Sequence, residues 1–376
     1  MDKLINIRPE IDHLYVHIPF CPQLCDYCAF YSEKGDAQKV NRFLDALIRE
    51  AQIVSERLVL RPKTIFFGGG TPSALSVSQL DKLLNALSEL TEGFSGVEEF
   101  TIEMNPATVS TDKAKLLRDY GVNRISMGVQ AFDDDTLNML NRVHDSNQVI
   151  KSYEILRSAG FMNVNLDLMF AVPGQTLNQW VDTLEKTLSL GPDHLSCYCL
   201  TYEEDTEFWN RLESGKYSVN EDLEVEMFIK TRDILLNHGY EQYEISNFAK
   251  MGMECRHNLS YWRGKDYLGL GPSAFGTIGF LRYQNIANTD IYCDRIEKTG
   301  MAYESTEELT VKLRQRERWM FGMRTMEGVA IGELNDFREQ MAVFIEQEIV
   351  EERNGRLLLT PAGRLFADEV ASIFAE

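Results

Sequence analysis

Cys21-Pro-Gln-Leu-Cys25-Asp-Tyr-Cys28 sets three cysteines in a C-x3-C-x2-C array directly after the apolar run Leu14-Tyr15-Val16-His17-Ile18. Three thiolates this close form a ligand set of cluster size. Iron–sulfur clusters are held by Cys thiolates, and a four-iron cubane with three protein ligands keeps one iron free for a non-protein group. A closed zinc site takes four ligands, commonly as two separated close pairs, and no second pair with that spacing follows. A disulfide framework would leave one of the three unpaired. The flanking Pro19, Pro22 and Asp26, and the position at a strand end, argue against three thiols simply packed into a core.

Outward from this array, runs of β-branched and aromatic residues alternate with amphipathic stretches, the pattern of βα units on a parallel sheet. Strands are predicted at His13 to Ile18, Thr64 to Phe67, Glu99 to Met104, Arg124 to Val129, Asn163 to Met169 and His194 to Leu200. Helices are predicted from Asp36 to Leu58, and to Leu90 from a capping box opened by Ser76-Val-Ser-Gln79. Six units are too few to close an eight-stranded barrel, so the pattern predicts an incomplete one. The unusual residues fall after strands: the cysteine loop, then Gly68-Gly69-Gly70, Glu103, Gln130, Asp167 and Thr201. Parallel α/β folds gather their active sites at that end of the strands. Glu103 and Asp167 are carboxylates within apolar strands, and burial demands a polar partner for each. Cys197 and Cys199 alternate onto one strand face and read as core.

The chain has 376 residues, 44% of them hydrophobic, enough for a barrel-sized domain and a smaller one. No run approaches the length of a membrane span, and the start, Met1-Asp-Lys-Leu-Ile-Asn-Ile, carries no apolar signal region. Seven cysteines, an odd number, fit a reducing compartment, and a cytoplasmic protein is expected. A net charge of -20 opposes nucleic acid or anionic lipid as a partner. The interrupted Arg314-Gln-Arg-Glu-Arg318 reads as a solvated helix face.

The cysteine array followed by Phe67-Gly-Gly-Gly-Thr-Pro72 resembles the radical S-adenosylmethionine (radical SAM) family. His17-Ile-Pro-Phe-Cys21 is similar to its branch of oxygen-independent coproporphyrinogen III oxidases and related haem chaperones. The resemblance implies a (βα)6 three-quarter barrel and a 4Fe-4S cluster on Cys21, Cys25 and Cys28, with SAM on the open iron. In that family one electron cleaves SAM to a deoxyadenosyl radical, and the protein supplies position and electrostatics. Matching its motifs implies SAM contacts at Tyr15, Tyr27, Gly69, Gly70, Thr71, Glu103, Gln130, Arg142, Asp167 and Thr201. Taken by physics alone, Arg142 reads as a solvated helix arginine, and the three glycines as a sharp turn.

Beyond Leu200, helices are predicted at Asp205 to Lys216 and Asn220 to Gly239, followed by a loop-rich passage with Cys255-Arg-His-Asn-Leu-Ser-Tyr-Trp262. A lone histidine is more often structural than a ligand. His-Asn-x-x-Tyr-Trp nevertheless resembles a mark of the haem chaperone branch, which implies haem at His257 with flat rings beside it. Many relatives carry histidine where Phe275 stands. The oxidases of the branch carry a fourth cysteine where Phe30 stands, and a longer leader than Met1 to Asp12. Both departures point to a chaperone that binds haem and passes it to an acceptor such as a respiratory haemoprotein, served by an electron donor for the cluster and compatible with a homodimer. Coproporphyrinogen oxidation is not expected, although SAM cleavage is compatible with the motifs. The alternatives are a radical enzyme acting on a tetrapyrrole and a two-SAM radical methyltransferase. The expected units are residues 1–235, a partial barrel; 236–303, an extension; and 304–376, a winged-helix-like tail assigned to packing or partner contact.

Overall fold

The computed structural model describes residues 8–375; most of the leader read above, residues 1–7, lies outside the described residues. Six parallel strands run β1 (Glu10–Ile18), β2 (Val59–Gly69), β3 (Glu99–Met104), β4 (Arg124–Gln130), β5 (Asn163–Phe170) and β6 (His194–Cys199), each beside the one before. Helices fill the crossovers: α1 (Ala37–Ser55), α2 (Val77–Leu90), α3 (Thr111–Asp119), α4 (Asp134–Met139), α5 (Ser146–Ser158) and α6 (Leu177–Leu190). Local chemistry starts them. Asp36 caps α1 by accepting from Lys39 N–H, and Ser76–Gln79, Asp145–Gln148 and Thr176–Gln179 form capping boxes for α2, α5 and α6.

The sheet extends past these six. After α7 (Glu207–Glu213) and α8 (Glu221–Asn237), strands β7 (Glu241–Gln242) and β8 (Asn247–Ala249) add antiparallel beyond β6, and β9 (Leu268–Leu270) adds parallel to β1. The order β7-β8-β6-β5-β4-β3-β2-β1-β9 leaves β7 and β9 as open edges, so the barrel is incomplete. The helix α9 (Arg256–Trp262) precedes β9.

Successive strand residues face opposite ways, and here the two faces differ in chemistry. Leu14, Phe67, Ile102, Met127, Leu166 and Leu195 pack against Phe43, Leu84, Leu117, Leu156 and Trp180 of the helices. The other face is polar: Glu103, Arg124, Ser126, Asn165, Asp167 and Ser196 line the lumen. In a complete barrel of this kind the interior is instead filled by branched apolar side chains. Cys197 lies on the outer face, in the core, as expected.

Boundaries depart from the sequence reading where a local residue intervenes. β2 starts at Val59 rather than Thr64, running through Pro62, whose missing N–H coincides with a register shift between Ile11 and His13 of β1. α7 is shorter than the Asp205 to Lys216 segment because Asp205 and Gly215 both take positive φ. The first glycines of the Gly68–Gly70 turn are fixed by sterics. Gly69 has φ +106°, and a Cβ there would lie 2.6 Å from the His17 ring. Gly69→Ala is therefore expected to cost about 3 kcal/mol or more in urea unfolding. Gly93→Ala, at φ +74° but in open space, isolates the backbone strain and is expected to cost distinctly less.

After β9 come β10 (Phe275–Ile278) and β11 (Leu281–Asn285), then α10 (Thr289–Thr299) and β12 (Tyr303–Glu308), the three strands forming a small antiparallel sheet. The tail runs α11 (Val311–Met323), β13 (Val329–Ala330), α12 (Arg338–Glu346), β14 (Val350–Arg353), β15 (Arg356–Leu359) and α13 (Ala367–Ser372). A two-residue Asn354-Gly355 turn at positive φ joins β14 to β15, as such hairpins favour. This tail has its own apolar core, with Trp319, Phe337, Met341 and Phe374 at its centre. Two of these three arginines of α11 are engaged rather than simply solvated: Arg314 pairs with Asp266 at 2.6 Å and Arg316 lies over the Phe337 ring, while Arg318 is exposed as expected.

Candidate functional site

The cysteine loop rises from the C-terminal end of β1 and is closed at its base, where Cys21 N–H donates to Glu33 O at 3.0 Å and Glu33 N–H to Pro19 O at 2.8 Å. Asp26 is its brace. Its carboxylate accepts from Asn141 Nδ2 at 3.1 Å and from Arg211 Nη2 at 2.9 Å, which ties the loop to the turn after α4 and to α7. The three thiols are partly buried, with Cys21 Sγ 3.4 Å from Thr71 Oγ1 and Cys25 Sγ 3.5 Å from Arg142 Nη1. Burial pushes the Cys28 thiol up to about 11. Among the described residues no three His, Cys, Asp or Glu side chains converge as the ligands of one metal ion do. Three free thiols on one loop, none in a disulfide, are a donor set that fits an iron–sulfur cluster with one open corner. Arg142 is not a solvated surface residue: Nη2 donates to Gly128 O at 2.6 Å, and its buried Nε has no partner.

The strand ends beside the loop are unusually bent. Gln130 is buried at φ 69°, after a register shift between Gly128 and Gln130, and Ala171 follows β5 at φ 60°. Non-glycine residues in this region cost energy and gather at functional sites. Gln130 and Arg142 both lie over Gly128, where an added Cβ would be 3.2 Å from Gln130 Nε2 and 3.3 Å from Arg142 Nη2. Gly70 fits against the Pro19 backbone, where a Cβ would come within 2.8 Å. The missing side chains of Gly69 and Gly70 are thus explained by close packing on β1 and its loop.

Tyr15, Gly69, Glu103 and Asp167 share one cavity of about 210 Å³ that opens beside Phe30. Burial, with Asp167 nearby, pushes the Glu103 carboxyl up to about 8, so it holds its proton at neutral pH. Asp167 accepts from Ser126 Oγ at 3.0 Å and Asn165 Nδ2 at 2.8 Å. Behind Asn165 a chain of hydrogen bonds runs down the barrel wall. His194 Nδ1 meets Asn165 Oδ1 at 2.7 Å and Nε2 meets Tyr243 OH at 2.7 Å, while Cys255 N–H donates to Tyr243 OH at 3.3 Å. Since Asn165 Oδ1 only accepts, the His194 proton sits on Nδ1 and Tyr243 donates to Nε2. This wall was missed in the sequence reading: the alternation of Arg124, Ser126 and Gly128 with Ile125, Met127 and Val129 marks a two-faced strand without telling a lumen from solvent.

One expected residue stands apart: Thr201 lies just past β6 and is exposed. Tyr27 packs edge-on against Phe208, with ring centroids 6.1 Å apart, and its hydroxyl lies beside Cys25 and Arg142. His257 is a clearer departure, for it is fully buried at the lower end of the lumen. Its Nδ1 meets Thr64 Oγ1 at 2.7 Å, its Nε2 meets Tyr261 OH at 2.8 Å, and its ring stacks on Phe66 at 5.3 Å. Glu99 anchors the start of α9 by accepting from Arg256 N at 2.8 Å and His257 N at 2.9 Å. Both imidazole nitrogens are engaged, so this arrangement leaves neither free for iron. The flat rings beside it are committed as well: Tyr261 packs on Tyr267 at 4.6 Å, and Trp262 contacts Phe321 of the tail with Arg324 over its ring. Phe275, on β10, is half-exposed and offers no second ligand.

Burial holds several histidines neutral, and this gives a pH expectation. Desolvation lowers His17 and His144 to about 4 and His257 to about 3, from an ordinary 6.5. Their contribution is complete above pH 6.5, where the unfolded rings are also neutral. It is lost as pH falls from 6.5 towards 4 and 3, because only the unfolded chain takes up these protons. Each ring is worth on the order of 3 kcal/mol. Between pH 6.5 and about 4.5 the raised Glu103 carboxyl opposes this loss, because there the folded chain takes up that proton first, so urea midpoints are expected to fall most clearly below about pH 4.5; a flat profile there would mean the folded rings bind protons as readily as the unfolded ones.

The profile of the radical SAM superfamily matches residues 15–187. The haem chaperone HemW of Bacillus subtilis is 38% identical over 371 residues, covering 96% of this chain and 98% of that protein. The chain belongs to the HemW family. HemW of Escherichia coli, 33% identical over 374 residues, covers 96% of this chain and is itself 97% covered. Among solved structures, the Escherichia coli coproporphyrinogen III oxidase HemN, a radical SAM enzyme, superposes with a TM-score of 0.85 at 24% identity, over 98% of this chain and 90% of that one. That likeness establishes the fold of this HemW-family chain, including its tail. No helix among the described residues is long and apolar enough to cross a membrane.

Proposed function

We propose that this chain is a cytoplasmic haem chaperone, which binds haem and passes it to an acceptor protein, on a scaffold that carries a 4Fe-4S cluster and SAM. The observation that carries this reading is near end-to-end similarity to proteins named haem chaperone HemW. Cys21, Cys25 and Cys28 would hold the cluster, and the rim residues Tyr15, Tyr27, Gly69, Gly70, Thr71, Glu103, Gln130, Arg142, Asp167 and Thr201 would hold SAM. The unpartnered Nε of Arg142 beside Cys25 supports this fit, as a donor reserved for a bound group. When bound, the cluster and SAM supply one-electron cleavage chemistry. The chain's own residues shape that site: Arg142 places a cation next to Cys25, Glu103 keeps a proton at the mouth, and Ser126 with Asn165 fixes both oxygens of Asp167. The reading does not rest on His257.

The oxidase fold likeness favours a second reading, a radical enzyme on a tetrapyrrole. Against it stands Phe30, which is 72% exposed at the mouth of the lumen, at the position where the oxidases carry a cysteine. The protein with its cluster reconstituted is expected to give no protoporphyrinogen from coproporphyrinogen III in an anaerobic assay with SAM and reductant. Product accumulating over many turnovers would replace the chaperone by the enzyme. The separate core of the tail supports its role as an accessory unit for packing or partner contact.

A further inference from the structure

Arg124 begins β4 on its inward face, is 2% exposed, and lines the lumen below the rim. Its Nε has no hydrogen-bond partner. Three carboxyls share its neighbourhood, and each is committed elsewhere. Glu99 accepts the Arg256 and His257 N–H groups, Asp167 accepts from Ser126 and Asn165, and Glu103 is held protonated by burial. His194, close by, is kept neutral by the same burial. A buried guanidinium with no bonded anion is costly, and its planar fork pairs bidentately with an oxyanion such as a carboxylate. Hydroxyls of Ser126 and Ser196 and the Asn258 amide share the cavity, with Tyr15, Phe66 and Tyr261 as walls. The upper part of this cavity, at Tyr15, Gly69, Glu103 and Asp167, is given to SAM above, so the space left below it, within about 210 Å³ in all, suits a short acid or one arm of a larger ligand rather than a whole drug-sized molecule, which takes roughly 300–1,000 Å³.

We propose that the lower lumen is a carboxylate site with Arg124 as counter-ion. The carboxylate is either the propionate arm of a tetrapyrrole, a source that rests on the haem reading above, or a free short-chain organic acid. Two probes on the reconstituted full chain separate the sources. The first compares haem with haem dimethyl ester, which lacks both carboxylates; the second compares sodium propionate with sodium chloride at equal ionic strength by thermal unfolding. If the arm is the ligand, wild type is expected to bind the ester at least about tenfold more weakly than haem, the worth of a charge-assisted hydrogen bond. In Arg124→Gln that preference should disappear. If a free acid is the ligand, propionate raises the unfolding midpoint of wild type and not of Arg124→Gln, whether or not haem binds, so failure of the haem reading leaves this site standing. Equal affinity for haem and ester, together with no propionate effect, overturns the site. Those comparisons use wild type and decide the matter even where Arg124→Gln fails to fold. A preference for haem of the same size in a folded Arg124→Gln also overturns it.

Discussion

Alanine at any one of Cys21, Cys25 or Cys28 is expected to leave a folded protein with essentially no bound iron or sulfide after anaerobic reconstitution. Each cysteine sits on one loop whose base and flanks are fixed independently of the thiols, by Glu33, Asn141 and Arg211, so removing a sulfur should spare the loop. Two thiolates cannot hold a four-iron cluster, and neighbouring hydrogen bonds orient ligands without replacing them. Cys197, Cys255 and Cys293 are buried in the protein and Cys199 lies at the end of β6, so alanine at any of these four should leave iron content unchanged. Full cluster in a Cys21, Cys25 or Cys28 variant, with loss in one of the other four, would place the cluster elsewhere.

His257→Ala is expected to lose about 3–5 kcal/mol of stability while leaving the cluster and the Soret maximum of bound haem as they are. The substitution empties a fully buried volume against Phe66 and strips hydrogen bonds from the Thr64 and Tyr261 hydroxyls. It also loosens the helix that closes the lower lumen and seats the tail through Trp262. The comparison is a urea unfolding curve beside a haem titration of the folded fraction. A variant of wild-type stability whose Soret maximum has moved would show that His257 leaves its pocket to ligate haem.

The polar face of the barrel explains what could and could not be read from the chain. The six strands were legible because each carries an unbroken apolar outer face, such as Ile125, Met127 and Val129 of β4, and because turns and caps such as Ser76–Gln79 punctuate them. Glu103 and Asp167 stood out as carboxylates in apolar surroundings. Arg124, Asn165 and His194 did not, since a polar residue at every second position looks the same whether it faces solvent or a lumen. The β7–β9 additions to the sheet were missed because strands of two or three residues leave too little pattern to read. His257 shows the converse. Its neighbourhood of Asn, Tyr and Trp suggested a flat ligand, but the same residue types equally serve a packed plug, and only the positions of Thr64 and Glu99 from distant strands distinguish the two.

The most direct test of the chaperone reading is the rate at which haem leaves this protein. Haem-loaded, cluster-reconstituted protein is mixed either with apomyoglobin, a passive trap, or with increasing amounts of a haem-free respiratory haemoprotein, and transfer is followed by the Soret band. The expected result is transfer to the haemoprotein that accelerates with its concentration and exceeds the passive rate. A protein that takes up no haem, or one that loses it at a single rate whatever the acceptor, would contradict the account.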